Sequence, residues 1–584
     1  MPKARRIEDD PLAGLPGWAQ DLAKRYYTKT VSTFLLYGAV RDLQPLTLDG
    51  GARGFGTLRT FLSDELFGGR DHVLFYDRSS GVRAAQPETQ QDLSRALSAY
   101  DTLYGTDYAK VIPRDPGRAL QILENYLRTR LSDGKSMALV IDFAETLVPG
   151  GELGHLSAED RFTLATLMKW ASDPQFLAGD LSIVLMVENL AEISPRIARN
   201  PYIGNIELPL PTEAERLDFV KTKLEGRKLA AISEVPVQGL AKMTAGLSRL
   251  NLDRLLTEAI ERGTKITQEV LKEKKREIIQ AECHGLLEFI EPSHTLEIVA
   301  GHTRAKEMLR QASSALKRGK LDVMPMGYLI AGPVGTGKTF LATCFAGEIG
   351  VPCVKLLNFR SQWQGVTEAN LEKIFNLLKA LWPVAVMIDE ADAFLGNRDQ
   401  SGDSGTSSRV FASIASFMGN TDYRGKIIWF LLTCRPDLLP IDLKRQGRAE
   451  EHIALFYPQT DAERDELFHV VSRKTQVDAD LPSFSKLLPE YAKAFSGADI
   501  EAVLVRSKFR ALAAGREKVT AEDLTTVLND FVPPSYPLEI ELQNLVAVQE
   551  CTSRELLPEK FRAMERDLLT RRVRELKTLL EEQR

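Results

Sequence analysis

This chain of 584 residues lacks several features that would assign its class at once. Its five cysteines form no C-x-x-C pair, and their odd number and scattered positions fit a reducing compartment better than a disulfide framework. No apolar run approaches the roughly 18 residues that a membrane-spanning helix needs. The basic N-terminus is not followed by an apolar stretch, so a secretory signal is not indicated. We therefore expect a soluble, cytoplasmic protein with no membrane partner.

A large excess of charge of one sign is also missing. The net charge is −5 and 27% of the residues are charged, as in ordinary globular proteins. This balance argues against a nucleic-acid partner held by bulk charge, although a local basic patch would not show in the total. The length exceeds what one hydrophobic core supports, so several domains are expected.

What the sequence does contain is a phosphate-binding pattern. Residues 332–339, GPVGTGKT, match G-x-x-x-x-G-K-[ST]. The apolar run Tyr328–Ala331 before them predicts a buried strand, and the residues after them predict a helix that ends at Gly350. Backbone N–H groups of such a loop, together with the helix dipole, bind phosphate. The alternative is an accidental glycine-rich turn.

The motif predicts which residues would contact ATP and Mg²⁺. Lys338 would bridge the β- and γ-phosphates, and the Thr339 hydroxyl would be a Mg²⁺ ligand. The predicted ATP-binding residues of this loop are Gly332, Pro333, Val334, Gly335, Thr336, Gly337, Lys338, Thr339 and Phe340.

A second motif follows about fifty residues later, a spacing that a P-loop sheet produces. The apolar strand Val384–Ile388 ends in Asp389 and Glu390. Asp389 would belong to the Mg²⁺ shell, and Glu390 would act as the general base toward the attacking water.

The N-terminal half shows strands that alternate with helical patterns, which predicts a parallel sheet covered on both faces. The strands are expected at Val31–Val40, Asp71–Tyr76, Met137–Ile141 and Ser182–Val187. Residues 182–219 also run parallel in pattern to residues 426–468, and residues from Gly246 match those from Phe495. We interpret this as two tandem α/β modules, each with a small helical lid. The alternative is that any two α/β domains look alike at this level.

The first module lacks the chemistry of the second. Residues 38–45, GAVRDLQP, contain no lysine and no hydroxyl group. The strand at Met137–Ile141 runs into Asp142, but Phe143 stands where a catalytic acid would be. We therefore expect no ATP hydrolysis by the first module.

These patterns predict five regions. They are a degenerate module without a phosphate loop at 1–270, a charged helical linker at 271–298, a large α/β subdomain at 299–456, a helical lid at 457–532 and C-terminal helices at 533–584.

Residues 295–530 resemble the AAA ATPases in the narrow sense, the group that contains katanin, spastin and the membrane zinc-protease unfoldases. The resemblance is carried by TLEIVAGHTRAK, GPVGTGKT, VMIDEAD, LLTCRPDLLPIDLKRQGRAEEH and FSGADIEAVL, in this order. It implies a hexameric ring with ATP between subunits. It further implies nucleotide contacts by Gly301, Gly497 and Ala498, with no lid arginine facing the phosphates.

The resemblance also implies that Arg445 and Arg448 are arginine fingers that reach a neighbour's γ-phosphate. The alternative is two surface arginines at a helix end. Trp363 and Gln364 lie where the family has its first pore loop, and residues 397–408 correspond to a second. Trp363 would grip a polypeptide, or it packs on its own domain.

The sequence departs from the family at two of these positions. Gln364 replaces the usual apolar pore residue, and Cys434 replaces the usual sensor-1 Asn. A thiol orients water poorly, so hydrolysis would be slow or would rely on Thr433 as a catalytic group.

The resulting hypothesis is an ATP-hydrolysing ring that remodels or unfolds a protein partner, with a protein substrate or an adaptor as the expected partner. The alternative is a low-turnover, nucleotide-gated assembly factor or scaffold. A nucleic-acid motor is disfavoured by the charge and by the lack of a recognisable DNA-binding motif. No H-E-x-x-H occurs in these residues, which excludes a zinc-protease site within them.

Overall fold

A computed structural model describes residues 14–48, 51–151, 153–154, 156–227, 232–282, 287–357, 368–395, 406–479, 483–532 and 536–582. Contacts divide the chain into two compact units. The first is Met1–Glu282 with Val366–Ala380, and the second is Cys283–Gly365 with Leu381–Arg584. Each unit has its own sheet and its own hydrophobic core.

The first unit is built on a six-stranded sheet of order β5-β4-β6-β7-β1-β8. Neighbouring strands are parallel except for the edge strand β5, which runs antiparallel to β4. A separate antiparallel hairpin is formed by β2 and β3. The strands are β1 (Thr33–Gly38), β2 (Gln44–Thr47), β3 (Arg53–Gly56), β4 (His72–Asp77), β5 (Gly81–Ala84), β6 (Met137–Ile141), β7 (Leu181–Val187) and β8 (Ile203–Leu208).

Helices cover both faces of this sheet, as the pattern of β6 shows. Leu139 and Ile141 enter one core cluster, whereas Ala138 and Val140 enter the other, as the two-residue period of a strand requires. The α-helices of the unit are Gly17–Tyr27, Leu58–Phe61, Pro87–Tyr104, Pro116–Ser132, Ala158–Ala171, Pro174–Ala178, Pro195–Ala198, Glu213–Lys223, Val237–Met243, Arg249–Arg262, Gln268–Glu282 and, through residue 380, Glu368–Leu381.

The second unit has a six-stranded sheet of order β14-β10-β13-β12-β11-β9. Its neighbouring strands are parallel except for β9, which pairs antiparallel with β11. The strands are β9 (Leu287–Ile290), β10 (Gly327–Ala331), β11 (Cys353–Leu356), β12 (Val384–Ile388), β13 (Ile427–Thr433) and β14 (Glu451–Ala454).

The region 271–298, predicted as a charged helical linker, is helical only in part. Its helix ends at Glu282, and Leu287–Ile290 forms the edge strand β9. The apolar side chain of Leu287 is buried there, and the backbone groups of this short run pair with those of β11. Pairing with β11 therefore makes Leu287–Ile290 a strand. The Lys/Glu-rich residues before it did not indicate a strand at this place.

The helices of the second unit include a lid and a C-terminal pair. In the lid, Phe468 and Phe484 stack with ring centroids 4.3 Å apart. Near the C-terminus, Val573 and Leu576 share a buried cluster with Val546. The α-helices are Thr303–Lys317, Lys338–Ile349, Ala391–Leu395, Thr406–Met418, Asp461–Lys474, Gly497–Ala513, Ala521–Asp530, Pro537–Glu550, Glu559–Arg562 and Arg566–Glu582.

The predicted fold class is confirmed: the chain has two tandem α/β sheets, mostly parallel, with helices on both faces. The finer domain boundaries stay predictions. Among the helices in the described ranges, none has both the length and the apolar character needed to cross a bilayer.

Candidate nucleotide site

The loop after β10 has the backbone that its glycines predict. Gly332 has a φ of 154°, and a Cβ there would lie 2.3 Å from the carbonyl oxygen of Leu455. Gly335 has a φ of 81°, and a Cβ there would lie 2.8 Å from Ser496 at the start of a lid helix. Side chains are excluded at both positions, because the backbone is left-handed or closely approached by another segment.

Lys338 begins the helix that follows this loop. Its Nζ donates to the carbonyl oxygens of Gly332 and Pro333, each at 2.9 Å, and to Cys434 Sγ at 3.2 Å. The ammonium group therefore lies inside the curve of the loop. A phosphate bound by the loop would meet a positive charge there.

The acidic edge of the site lies at the end of β12. Thr339 Oγ1 donates to Asp389 Oδ2 at 3.3 Å, and Lys355 Nζ donates to the same oxygen at 3.0 Å. Asp389 Oδ1 accepts from the backbone N–H of Glu390 at 3.1 Å. Glu390 has a φ of 47° and an exposed side chain. The fold therefore brings the predicted loop and the predicted acids together.

A hydroxyl and a carboxylate at this separation suit Mg²⁺, which prefers hard oxygen ligands and keeps several waters. Thr339 and Asp389 therefore fit the predicted metal site. The Lys355 ammonium was not predicted and lies against the carboxylate of this donor pair.

Thr433 and Cys434 lie at the end of β13, beside the loop. Thr433 Oγ1 donates to Asp392 Oδ1 at 2.6 Å and accepts from the backbone N–H of Arg435 at 2.8 Å. These contacts tie the Thr433 hydroxyl to the helix after β12. The side chain from this strand that contacts Lys338 is Cys434.

A cavity of about 780 Å³ lies next to the loop. Seven of the predicted nucleotide-binding residues line it: Gly301, Gly335, Thr336, Gly337, Phe340, Gly497 and Ala498. Its apolar wall includes Phe340, Val470 and Leu556. A polar loop beside an apolar cavity can take the phosphates and the base of one nucleotide.

The entry segment forms one wall of this cavity. The backbone N–H of Gly301 donates to Glu466 at 3.0 Å, and Lys306 Nζ donates to Val299 O at 2.7 Å. The Gly301 bond, together with a second Lys306 Nζ bond to Glu466 Oε1 at 3.3 Å, fastens the segment to the lid helix Asp461–Lys474. The neighbouring His302 also lines the cavity, and burial lowers the pKa of its imidazole, which favours the neutral form.

The lid helix Gly497–Ala513 begins at the loop. Ser496 is its N-cap, with a reciprocal capping box to Asp499. The backbone N–H of Gly497 donates to Gly335 O at 3.2 Å. Gly497 and Ala498 therefore lie at a helix N-terminus next to the phosphate loop, and their contact with a nucleotide stays a prediction.

The two predicted arginine fingers lie outside this cavity. Arg445 is exposed, whereas Arg448 is half-buried and its Nη1 donates to the backbone oxygen of Asp442 at 2.8 Å. Burial, with the charge of Arg445 nearby, lowers the pKa of Arg448 below its usual value. Their role across subunits stays a prediction. The pore residues Trp363 and Gln364, and residues 397–405 of the second pore loop, lie outside the described residues.

Sequence reasoning missed several residues of the site. Lys355 and Asp392 contact predicted site residues, and Tyr457 donates its hydroxyl to the loop at Val334 O at 2.7 Å. Residues 555–560 and 562 near the C-terminus line the cavity. A charged side chain within the apolar strand β11 was a usable signal for Lys355. The C-terminal segment carried no motif.

Comparisons with known families match most of the chain. Residues 4–209 match a family described as the N-terminal Rossmann-like domain of AAA+ chaperones, and residues 214–284 match the second helical domain of AAA+ chaperones. Residues 328–457 match the ATPase family associated with various cellular activities (AAA). The AAA part of the predicted resemblance is therefore confirmed, and it extends to both halves of the chain. The closer likeness to katanin and spastin stays a prediction.

Curated relatives agree with this assignment. The chain is 28% identical over 338 residues to an uncharacterized AAA domain-containing protein ycf46 of Trieres chinensis, an alignment that covers 56% of this chain and 66% of that protein. It is 27% identical over 416 residues to a cell division cycle protein 48 homolog of Archaeoglobus fulgidus, with 65% and 55% covered. It is 32% identical over 252 residues to the chloroplastic ATP-dependent zinc metalloprotease FTSH 6 of Arabidopsis thaliana, with 41% and 36% covered. The alignments thus span about half to two thirds of two of these relatives and about a third of the last.

Proposed function

We propose that the chain hydrolyses ATP in a ring and uses the energy to remodel or unfold a protein partner. One observation carries the proposal: the Lys338 ammonium lies against the carbonyls of the glycine loop, and the next residue, Thr339, donates to Asp389 at the end of β12, beside a cavity of about 780 Å³. A buried structural salt-bridge network alone would not need the adjoining glycine loop and cavity.

Each residue of the site has a definite task in this reaction. The loop N–H groups and the Lys338 ammonium bind the phosphates, and the apolar wall around Phe340 packs against the base. Glu390 accepts the proton of the attacking water. Thr339 and Asp389 would hold Mg²⁺, which neutralises charge on the phosphates.

The ring belongs to the same proposal. Arg445 and Arg448 lie away from the cavity of their own chain, so they would serve a neighbour's ATP and stabilise charge on the transferring phosphoryl group. A closed ring of identical chains provides such shared sites, and six subunits is the number implied by the family resemblance. Trp363 and Gln364 would contact the protein substrate in the pore.

A second function, a nucleotide-gated scaffold with little turnover, is favoured by a different contact. Lys338 donates to Cys434, a thiol in place of an amide that would orient water. Thr433 is tied to Asp392 instead. Under this alternative ATP binding is retained, and hydrolysis is slow.

Steady-state hydrolysis and equilibrium ATP binding test the two functions together. Lys338→Ala should abolish binding, because it removes the charge that faces the phosphates. Glu390→Gln should keep binding and reduce turnover on the order of a hundredfold or more, because an amide does not accept the proton. Glu522→Gln, an exposed change on a lid helix, is the control.

The outcomes separate the alternatives. Parent protein that binds ATP but shows no turnover above Glu390→Gln supports the scaffold. Parent protein that does not bind ATP overturns both functions. Capture of a protein by the ATP-loaded Glu390→Gln chain, with release after ATP is removed, tests the remodelling part, and nucleotide-independent capture would argue against it.

A further inference from the structure

Lys355 lies on β11, the strand next to β12 in the sheet. Its chain neighbours Val354 and Leu356 are buried, whereas the Lys355 side chain is 28% exposed. Such a short apolar strand does not require a lysine for packing. The ammonium group reaches the end of β12, where Nζ lies 3.0 Å from Asp389 Oδ2.

The contact between Lys355 and Asp389 uses the same carboxylate oxygen as the contact between Thr339 and Asp389. Asp389 Oδ2 also accepts from the Thr339 hydroxyl at 3.3 Å, while Oδ1 accepts from the Glu390 N–H at 3.1 Å. The ammonium therefore shares one oxygen with the hydroxyl that would ligate Mg²⁺. A fixed positive charge at that oxygen neutralises the carboxylate and repels a second cation.

The first unit offers a contrast at the corresponding place. Ile388 of β12 pairs with Leu356, and Ile141 of β6 pairs with Tyr76. One residue earlier in each neighbouring strand stand Lys355 and Phe75. The lysine is therefore a feature of the unit that carries the phosphate loop, and the shared sheet architecture does not demand it.

We propose that Lys355 is a positioning residue that holds Asp389 beside Thr339 and competes with Mg²⁺ for this carboxylate. This proposal rests on the proposed nucleotide site. Lys355 raises the Mg²⁺ concentration at which nucleotide becomes fully bound. It does not touch the reacting phosphate and changes binding through Asp389.

A Mg²⁺ titration of the full-length chain with a fluorescent, non-hydrolysable ATP analogue tests this without relying on turnover. Lys355→Met should lower the half-saturating Mg²⁺ concentration on the order of tenfold, because the competing charge is gone. Lys355→Gln keeps a hydrogen-bond donor for Asp389 but no charge, and it should also lower the half-saturating Mg²⁺ concentration. Lys355→Arg should stay near the parent value.

Controls make the result specific. Analogue binding in EDTA should be the same for the parent and Lys355→Met, and Lys317→Met, which removes a lysine 4.0 Å from Glu348, should leave the Mg²⁺ titration unchanged. Thermal melting identifies any variant that does not fold. If either Lys355→Met or Lys355→Gln fails to fold, the other still tests the loss of the charge.

An unchanged or increased Mg²⁺ requirement in folded Lys355→Met or Lys355→Gln overturns the competition. A parent protein that binds no analogue at any Mg²⁺ concentration overturns the nucleotide site itself. The two failures are therefore distinguishable, since the first appears only in the variants and the second appears already in the parent.

Discussion

The two α/β units open their first loop in the same way and then differ. Gly38 has a φ of 96°, with a Cβ position 2.6 Å from Leu208 O. Gly332 has a φ of 154°, with a Cβ position 2.3 Å from Leu455 O. In both units the chain therefore turns at a glycine against the end of a neighbouring parallel strand. The two units share this turn, although only the second carries the phosphate-loop motif.

The two units also differ around the acid that follows a buried strand, which is Asp142 after β6 in the first unit and Asp389 after β12 in the second. In the first unit, Arg41 Nη1 lies 2.8 Å from Asp142 and its guanidinium lies 4.0 Å from the centre of the Phe143 ring. Phe143 has a φ of 52°, close to the 47° of Glu390. The first unit thus has the backbone of Glu390 at Phe143, but it places an aromatic ring there and pairs the preceding acid with its own arginine.

The lids show the same contrast. Asp42 Oδ1 accepts from the backbone N–H of Leu250 at 2.9 Å, at the start of the helix Arg249–Arg262, which belongs to the lid of the first unit, and Asp42 Oδ2 lies 3.5 Å from Arg249. In the second unit, Gly497 N–H at the start of the lid helix donates to the loop carbonyl of Gly335. A carboxylate of the protein therefore faces the helix N-terminus of the first lid. Burial raises the pKa of Asp42, and the lid N–H and Arg249 counter this effect.

Both units therefore bring the start of a lid helix to the loop after β1 or β10, but through different groups. In the first unit the Asp42 carboxylate lies at the N-terminus of the lid helix, and Arg41 pairs with Asp142. The second unit keeps the cavity and the phosphate loop. Four sets of substitutions, in order of expected effect, would break or sharpen this contrast.

The largest effect is expected for Arg448→Ala. If Arg448 acts on a neighbour's ATP, this change should leave ATP binding intact and reduce turnover roughly a thousandfold. Specific activity of the parent should also rise with protein concentration, because only the assembled ring is active. Both are measured by steady-state hydrolysis and equilibrium binding.

Mixing tests whether the site is shared. Chains with Arg448→Ala keep the loop, and chains with Lys338→Ala keep the finger, so some interfaces in a mixed ring are complete. Activity should therefore reappear when two inactive proteins are combined. Full activity of Arg448→Ala alone would refute the finger assignment, and verified mixed rings without activity would refute the shared site.

The next largest effect is expected for Asp42→Ala. Arg249 would lose a buried partner but keep Glu215 at 3.1 Å, so the first lid should be destabilised by about 3 kcal/mol. Hydrogen exchange of residues 249–262 should accelerate on the order of a hundredfold. The matched change in the second unit is Thr336→Ala, which removes a hydroxyl that donates to Pro333 O at 2.9 Å and should cost about 1 kcal/mol. Equal costs would contradict the special role of Asp42.

A smaller gain is expected for Cys434→Asn. An amide beside Lys338 would orient water better than a thiol, and turnover should rise about tenfold with little change in ATP binding. Cys434→Ser, which is close to the thiol in size, controls for the loss of the sulfur. If the Asn variant were no faster than the parent, the sensor-1 departure would not limit hydrolysis.

The smallest effects are expected at the helix caps that the two lids share. Ser248 Oγ accepts from Asn251 N–H and Ser496 Oγ accepts from Asp499 N–H, both at 3.2 Å. Ser248→Ala and Ser496→Ala should each cost about 1 kcal/mol. Chemical denaturation of each variant checks this. A cost several times larger in one lid would show that its cap does more than start a helix.

Much of the fold was accessible from the sequence because its signals are local. The runs at Met137–Ile141 and Val384–Ile388 were predicted as strands with the bounds that the structure has, since a short apolar run between turn residues favours a buried strand. The helix starts at Thr212 and Thr460 are capping boxes, which explains why the pattern T-x-A-E-R occurs at residues 212–216 and again at residues 460–464. The loop before Lys338 was predicted from its glycines for the same local reason.

The pairings between distant segments were not accessible. Arg41 contacts Asp142, and Lys355 contacts Asp389, only because parallel strands bring their ends to one edge of a sheet. The antiparallel edge strand of the first unit is β5, which forms a hairpin with β4. That of the second unit is β9, which comes from the segment before the sheet and pairs with β11. No local pattern distinguishes these sources, because backbone pairing uses the N–H and C=O groups that every residue except proline shares.

By itself, then, the sequence indicated several buried strands, such as Met137–Ile141 and Val384–Ile388, the glycine-rich loop with Lys338 and Thr339, and the acids after β12, because each depends on spacing along the chain. Tertiary structure alone decided that Lys355 contacts Asp389, that Asp42 faces the first lid, and that residues near the C-terminus line the cavity. These contacts join residues far apart in sequence, and their side chains meet only after the sheets and lids have packed.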